Sequence, residues 1–190
     1  MGGYAIGLDL NNGFVGAIAR HGDEVIKSRP VHSGATAFPF GSPVVLYASG
    51  GVTDGTVQKF GASNVADDFI GIACRKIKQP TSFADEGFGK YYDTDICDVM
   101  ERGSISVLCP TGNPQPGGAV YIRVLANATD YPNAQVGDIE AVSDTVTNNG
   151  TTTYNNLLIP NCKWCGTKDA NNVAELVITV AFIFELCGVT

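Results

Sequence analysis

Short runs of apolar residues, bounded by Gly, Pro, Asn and Asp, follow one another along the whole chain. Most of these runs are too short for a helix, and many are rich in the β-branched and aromatic residues that favour pleated strands. No window keeps apolar residues at the helical spacing i, i+3, i+4 and i+7 through three turns. The pattern therefore predicts an all-β fold, either an antiparallel β-barrel or a β-sandwich.

The same pattern predicts where the strands lie. The longest apolar run, 173–186, is long enough for a buried helix, but its β-branched and aromatic residues predict a central strand covered on both faces. A short turn is expected near 64–68. The predicted strands are 4–10, 14–20, 24–31, 43–48, 56–60, 69–78, 96–101, 104–109, 119–124, 139–142, 152–159 and 175–186.

The N-terminal region has two interpretations. Residues 11–13 and 21–23 read Asn-Asn-Gly and His-Gly-Asp, which tolerate positive φ and would join the first three strands as a meander. The charge-poor stretch 1–19 equally suits an extended arm that becomes ordered on a partner. The apolar side chains that would bury against that partner are Tyr4, Ile6, Leu8, Leu10 and Phe14.

Two regions of different character follow from these predictions. Residues 1–35 form the N-terminal arm or meander, and residues 36–190 form the β-barrel or sandwich domain. Within that domain the segment 127–154 is polar and contains several carboxylates, so it predicts a surface excursion of exposed hairpins. The carboxylates are Asp130, Asp138, Glu140 and Asp144.

Charge and hydropathy exclude two classes of partner. The 190 residues carry a net charge of −7, and neither half of the chain supplies the basic face that grips nucleic-acid phosphates. The apolar run 173–186 is interrupted by Glu175 and is shorter than the roughly 20 residues of a spanning helix. The first residues lack the Lys- or Arg-led apolar core of a secretory signal. We therefore expect no nucleic-acid partner, no membrane partner and no export.

The six cysteines are expected to be mostly reduced, because the chain is not a small secreted domain with a dense disulfide framework. Cys162 and Cys165 have the spacing of a zinc or redox pair. They lack a second ligand pair, and both histidines, His21 and His32, lie far upstream. Structural packing is the favoured interpretation, with a metal clip or redox pair as the alternative.

Candidates for catalysis are weak. The adjacent carboxylate pairs lie in turn-like sequence, and neighbours on a strand point to opposite faces. No Gly-x-Ser-x-Gly nucleophile motif occurs, and no Gly-Lys-Ser/Thr follows the Gly-rich segment 112–118. The sequence predicts a protein that is not an enzyme and that has no cofactor and no metal.

A series of Gly- and Pro-bounded strand motifs occurs in a characteristic order. The motifs are 13–20 (GFVGAIAR), 40–45 (FGSPVV), 69–73 (FIGIA), 91–107 (YYDTDICDVMERGSISV), 116–123 (PGGAVYIR), 158–160 (LIP) and the final apolar strand. This order resembles the structural cement or decoration proteins that coat tailed-bacteriophage capsids, over most of the chain from about Gly13 to Leu186. The tract 148–153 and the Cys162/Cys165 pair depart from the family pattern.

The resemblance implies a virion protein without enzymatic activity. Such a protein binds the outer surface of an assembled capsid and clamps neighbouring major capsid subunits, as a trimer. Its partners would be the major capsid protein and further copies of itself, and it would be made in the cytoplasm of the bacterial host.

Two other functions stay open at this point. One is a carbohydrate-binding β-sandwich that uses a row of exposed aromatic side chains. The other is a small zinc or redox protein that uses Cys162 and Cys165. The aromatic candidates for the carbohydrate site are Tyr91, Tyr92, Tyr131 and Tyr154.

Overall fold

The computed structural model describes residues 11–49, 51–75, 89–148 and 151–179. Within these residues the chain forms strands and one 3₁₀ turn, Ala66–Asp68, and no α-helix, which confirms the all-β prediction. The strands are β1 (Ile18–Pro30), β2 (Phe38–Pro39), β3 (Pro43–Ser49), β4 (Val52–Lys59), β5 (Phe69–Ala73), β6 (Lys90–Tyr91), β7 (Ile96–Leu108), β8 (Ala119–Arg123), β9 (Ile139–Glu140), β10 (Thr145–Asn148), β11 (Thr151–Tyr154), β12 (Asn156–Trp164) and β13 (Val173–Ile178).

One curled antiparallel sheet contains most of these strands. Its order is β4-β3-β5-β7-β13-β12-β8-β9, with β1 also paired to β7. The strand β7 organises the sheet because it pairs with β1 along most of its length, with β5 near its start and with β13 towards its end. Among the described residues, β2–β6 and β10–β11 form separate two-stranded sheets.

Two apolar clusters cover opposite faces of this sheet. Successive side chains on a strand point to opposite faces, and neighbours in β3 and β7 divide between the clusters. Val45 and Met100 belong to the larger cluster, whereas Val44 and Val99 belong to the smaller one. The small β2–β6 ribbon supplies Phe38 and Tyr91 to the smaller cluster, and the larger cluster fills the other side of the sheet.

The predicted hairpin at residues 21–23 is wrong. Residues 18–30 form the single strand β1, and both of its halves pair with β7. Arg20 pairs with Ser104 and Val25 pairs with Arg102, so β1 is longer than β7 between these two pairs. The extra residues of β1 bulge outwards. The Gly22 backbone, with φ of 117°, accommodates that bulge instead of a chain reversal.

Further strand boundaries differ from the predictions. The strand β4 begins at Val52 instead of 56, and β5 ends at Ala73, before the predicted end at 78. Gly103 does not end a strand, since β7 continues through it with a φ of 122°. The predicted strand 152–159 is divided at Asn155 into β11 and β12. The strand β12 then continues past Pro160, which lies in the register shift between Leu158 and Lys163, where no ladder hydrogen bond is required of it.

The last described strand, β13, lies between β7 and β12, which confirms its central position in the sheet. Its burial alternates: Leu176 and Ile178 are buried, and Glu175 and Val177 are half-buried. The residues of the predicted strand beyond Thr179 lie outside the described residues, as does the predicted strand 4–10.

Candidate partner-binding surface

The described N-terminal residues are hydrogen-bonded to the domain. The Asn12 backbone N–H donates to Asp169 Oδ2 at 2.9 Å, and its amide Nδ2 donates to the Val173 carbonyl at 2.8 Å. Ser106 Oγ donates to the Asn12 carbonyl at 2.6 Å, and the Gly16 N–H donates to the Ser106 carbonyl at 2.7 Å. Asn12 and Gly16 therefore anchor this end of the described chain to the domain.

Phe14 is the predicted partner-binding residue that the structure describes. Its side chain is 68% exposed, and the Arg75 guanidinium carbon lies 4.8 Å from the centre of its ring. Such a cation–π contact leaves an apolar ring in solvent beside a positive charge. Tyr4, Ile6, Leu8 and Leu10 lie outside the described residues.

Two adjoining clefts meet beside Phe14. One has a volume of about 300 Å³ and the other about 400 Å³, and Val15 lines both. Leu108, which is 45% exposed, adds to the wall of the first cleft, and Asn11 lies at the rim of the second. We call these two clefts together the Val15 groove. The residues that define it are Asn11, Phe14, Val15, Phe40, Lys59, Arg75, Leu108 and Ile139.

The Val15 groove has positively charged walls. Lys59 Nζ donates to the Val136 carbonyl at 3.1 Å, and Arg75 packs over Phe14. No carboxylate of the described residues lies within ion-pair distance of either cation. Asp138 also lines the first cleft, where its Oδ2 accepts a hydrogen bond from the Gln135 N–H at 2.7 Å. The groove thus presents apolar walls with two cations and one carboxylate.

A buried ionic network lies at the β8–β9 end of the sheet. Arg123, at the end of β8, is fully buried and bonds Glu140 through two parallel contacts, Nε to Oε1 at 2.6 Å and Nη2 to Oε2 at 3.0 Å. Its Nη1 also donates to Asp144 Oδ2 at 2.8 Å. Glu140 is fully buried and Asp144 is 4% exposed, so the prediction that these two carboxylates lie in exposed hairpins is wrong.

Asparagine amides complete this network. Nδ2 of Asn127 and Nδ2 of Asn155 donate to Asp144 Oδ1 at 3.0 and 3.1 Å, and Nδ2 of Asn156 donates to Glu140 Oε2 at 2.7 Å. Burial alone would raise the pKa of Asp144, but the hydrogen bonds from Arg123 and the amides outweigh it and lower the pKa below its ordinary value. The β10–β11 hairpin therefore leaves the domain from a rigid base.

The sequence contained a signal for this network that its analysis missed. Residues 124–162 contain no Lys or Arg, although they hold four carboxylates. Arg123 and Lys163 directly flank that stretch, and Arg123 is the one that ends an apolar strand. A charge that is buried needs a partner, so the lone Arg at the end of an apolar strand pointed to buried carboxylates.

The two cysteines of the Cys-x-x-Cys motif lie on opposite faces of the sheet. Cys162 is fully buried in the larger cluster, and burial raises the pKa of its thiol to about 12. Cys165 is half-buried near Ser104 and Glu175, and burial is also the main cause of its raised pKa. Both are free thiols, and among the described residues no group of His, Cys, Asp or Glu is arranged to hold a metal. The packing interpretation is favoured for Cys162.

The four tyrosines of the carbohydrate hypothesis do not form a row. Tyr91 is fully buried in the smaller cluster, where its hydroxyl donates to the Cys74 carbonyl at 2.7 Å. Tyr131 lies with its ring 5.3 Å from the Arg123 guanidinium. Tyr92 and Tyr154 are exposed, by 40% and 61%. The expectation of an exposed aromatic row is therefore wrong for Tyr91.

Within the described part of the chain, no helix has the length and apolar character needed to cross a bilayer.

Comparisons with known proteins agree with this architecture. A solved structure described as "The capsid of Myoviridae Phage XM1" contains a chain with the same fold, at a TM-score of 0.61 and 18% identity, over 93% of this chain and 96% of that one. No curated protein sequence gives a significant match. The model of the family "Structural cement protein (E217 gp24/Pam3 gp6)" matches residues 3–179. The chain therefore belongs to the phage structural cement protein family.

Proposed function

We propose that this protein is a structural, non-enzymatic component of a phage virion. It binds the outer surface of the assembled capsid and clamps neighbouring major capsid subunits, and it does so as a trimer. The family match over residues 3–179 carries this proposal. The capsid structure that contains a chain of the same fold supports it.

The chemistry of the described residues supports a role in contact rather than in catalysis. Burial raises the pKa of the thiols of Cys74, Cys109 and Cys162, which makes them poor nucleophiles. The buried carboxylates Glu140 and Asp144 are hydrogen-bonded to Arg123 and to asparagine amides within the fold, so neither is presented to a substrate.

The N-terminal residues are the proposed clamp, which holds neighbouring copies of this chain together on the capsid. Asn12 fixes the base of the segment to the domain, and the ten residues before Asn11 contain the apolar Tyr4, Ile6, Leu8 and Leu10. Each such side chain contributes about 1.5–3 kcal/mol when it is buried, before the cost of ordering the segment. A clamp that makes several modest contacts gains strength because the linked contacts raise the effective concentration of one another.

Co-sedimentation with purified capsids that lack the protein tests this function. The full chain should sediment with the capsids and saturate at a fixed ratio to the major capsid protein. A chain without residues 2–10 should keep its melting temperature and bind the capsids much more weakly. A full chain that stays in the supernatant at saturating concentration would show that capsid binding is not its function.

A further inference from the structure

We propose that the Val15 groove is the receptor for the N-terminal segment Tyr4–Leu10 of a second copy of this chain. The inference rests on the proposed function, and it adds the surface and the partner through which the copies join. It follows from the shape of the groove, its charge and the composition of the segment.

The groove has room for a few large side chains. Its two clefts have volumes of about 300 and 400 Å³. Removing one large buried side chain leaves a cavity of roughly 150 Å³, so each cleft accepts about two apolar side chains. Exposed Phe14 and Leu108 border the clefts and would lose solvent contact when the groove is filled.

The charge of the groove selects a segment with a carboxylate. Lys59 and Arg75 line the first cleft. Among the described residues, no carboxylate lies within ion-pair distance of either side chain. Residues 4–10 of this chain supply four large apolar side chains, and their single charged side chain is Asp9. An apolar segment with one carboxylate complements apolar walls with an excess of positive charge.

The base of the segment lies beside the groove. Asn11 is at the rim of the second cleft, and Phe14 and Val15 already form its walls. The ten residues before Asn11 span at most about 33–36 Å when extended. The proposed function joins several copies of this chain, so the occupant assigned here is the segment of a second copy.

Such a contact joins two different surfaces, the segment of one copy and the groove of the next. Contacts of this kind build closed rings when the rotation between copies closes. Contacts between the segment of one copy and the groove of the next therefore account for the proposed trimer. They need no surface patch that pairs with the same patch on another copy.

Photo-crosslinking tests the location and the origin of the occupant. The full-length photoreactive variant Leu108→p-benzoylphenylalanine is prepared in ¹⁴N- and ¹⁵N-labelled forms. The two forms are mixed, reassembled and irradiated. Trypsin releases the groove peptide 103–123 and the N-terminal peptide 1–20. We expect these two peptides joined with mixed isotopic composition. Fragment ions should place the link within residues 4–10, because Val15 of the same copy also lines the cleft. Links to residues 4–10 of uniform isotope only would place the segment in its own groove and overturn the inference.

Charge reversal provides an independent test. Arg75→Glu and Asp9→Lys should each weaken self-association by roughly tenfold or more, measured by analytical ultracentrifugation, because like charges then meet in the groove. The two changes together should restore most of the loss. The control is Lys163→Glu, which makes the same sign change at an exposed position of β12 outside the groove.

The outcomes separate this inference from the proposed function. Equal effects of Arg75→Glu and Lys163→Glu, or the absence of crosslinks between position 108 and residues 4–10, would overturn the inference and leave capsid binding intact. Mixed-isotope crosslinks in a protein that fails to bind capsids would support the groove and contradict the function.

Discussion

Arg123 neutralises only one of the two carboxylates buried around it. Glu140 receives two parallel hydrogen bonds from its guanidinium, and Asp144 receives one. The second negative charge is stabilised by the amides of Asn127 and Asn155. Taking such groups out of water is costly, so a network of this kind contributes specificity of structure more than stability. What it specifies here is the base from which the β10–β11 hairpin leaves the sheet.

Removing the Arg123 charge should be strongly destabilising. In Arg123→Met the two carboxylates stay buried without their cation, and the free energy of unfolding should fall by about 3–5 kcal/mol. Urea denaturation of the purified protein measures the change. The control is Arg102→Met, whose partner Asp23 is exposed, and its cost should be at most about 1 kcal/mol. Equal costs for the two variants would show that the buried network does not fix this region.

The two thiols of the Cys-x-x-Cys motif should react very differently. At pH 8 a thiol with a pKa of about 12 carries about one thiolate in ten thousand, and Cys162 is also fully buried. Iodoacetamide should modify half-buried Cys165 first. Trypsin cleaves after Lys163 and separates the two, so mass spectrometry of the native-state digest reads each one directly. Modification of both thiols at the same rate would instead support a metal clip. Protection of both thiols that a chelator removes would support it as well.

At the scale of elements, the sequence predicted which segments are strands better than where each strand ends. Alternating and β-branched runs placed β3 and β8 well, because those signals are local. The ends of β1, β7 and β12 were wrong because Gly22, Gly103 and Pro160 normally interrupt strands. Whether such a residue ends a strand or forms a bulge depends on a partner strand that is distant in the chain. The local sequence pattern carries no information about that partner.

The junction of β5 and β7 depends on one small residue. A Cβ at Gly71 would lie 2.2 Å from the Met100 carbonyl oxygen, a backbone atom that cannot move aside without separating the strands. Gly71→Ala should therefore destabilise the fold by about 1–3 kcal/mol, measured as a lower midpoint of thermal unfolding. Gly166→Ala is the control, because nothing lies within 4 Å of its Cβ position. A Gly71→Ala protein as stable as the control would show that the strands are less tightly apposed.

At the scale of the whole molecule, only part of the proposed binding surface could be predicted from the sequence. Apolar residues such as Phe14 in a charge-poor segment predict contact with a partner, and Phe14 is indeed exposed. The Val15 groove could not be predicted, since Lys59, Arg75 and Leu108 come from three separate segments that only the curled sheet brings together. The clamp residues before Asn11 stay a prediction.

Electron cryomicroscopy of capsids saturated with the purified protein tests the proposed role most directly. We expect density for the β-domain on the outer capsid surface, in groups of three, with each copy contacting more than one major capsid subunit. Density inside the shell, density on a single subunit without a bridging contact, or capsids that stay bare at saturating protein would contradict the account.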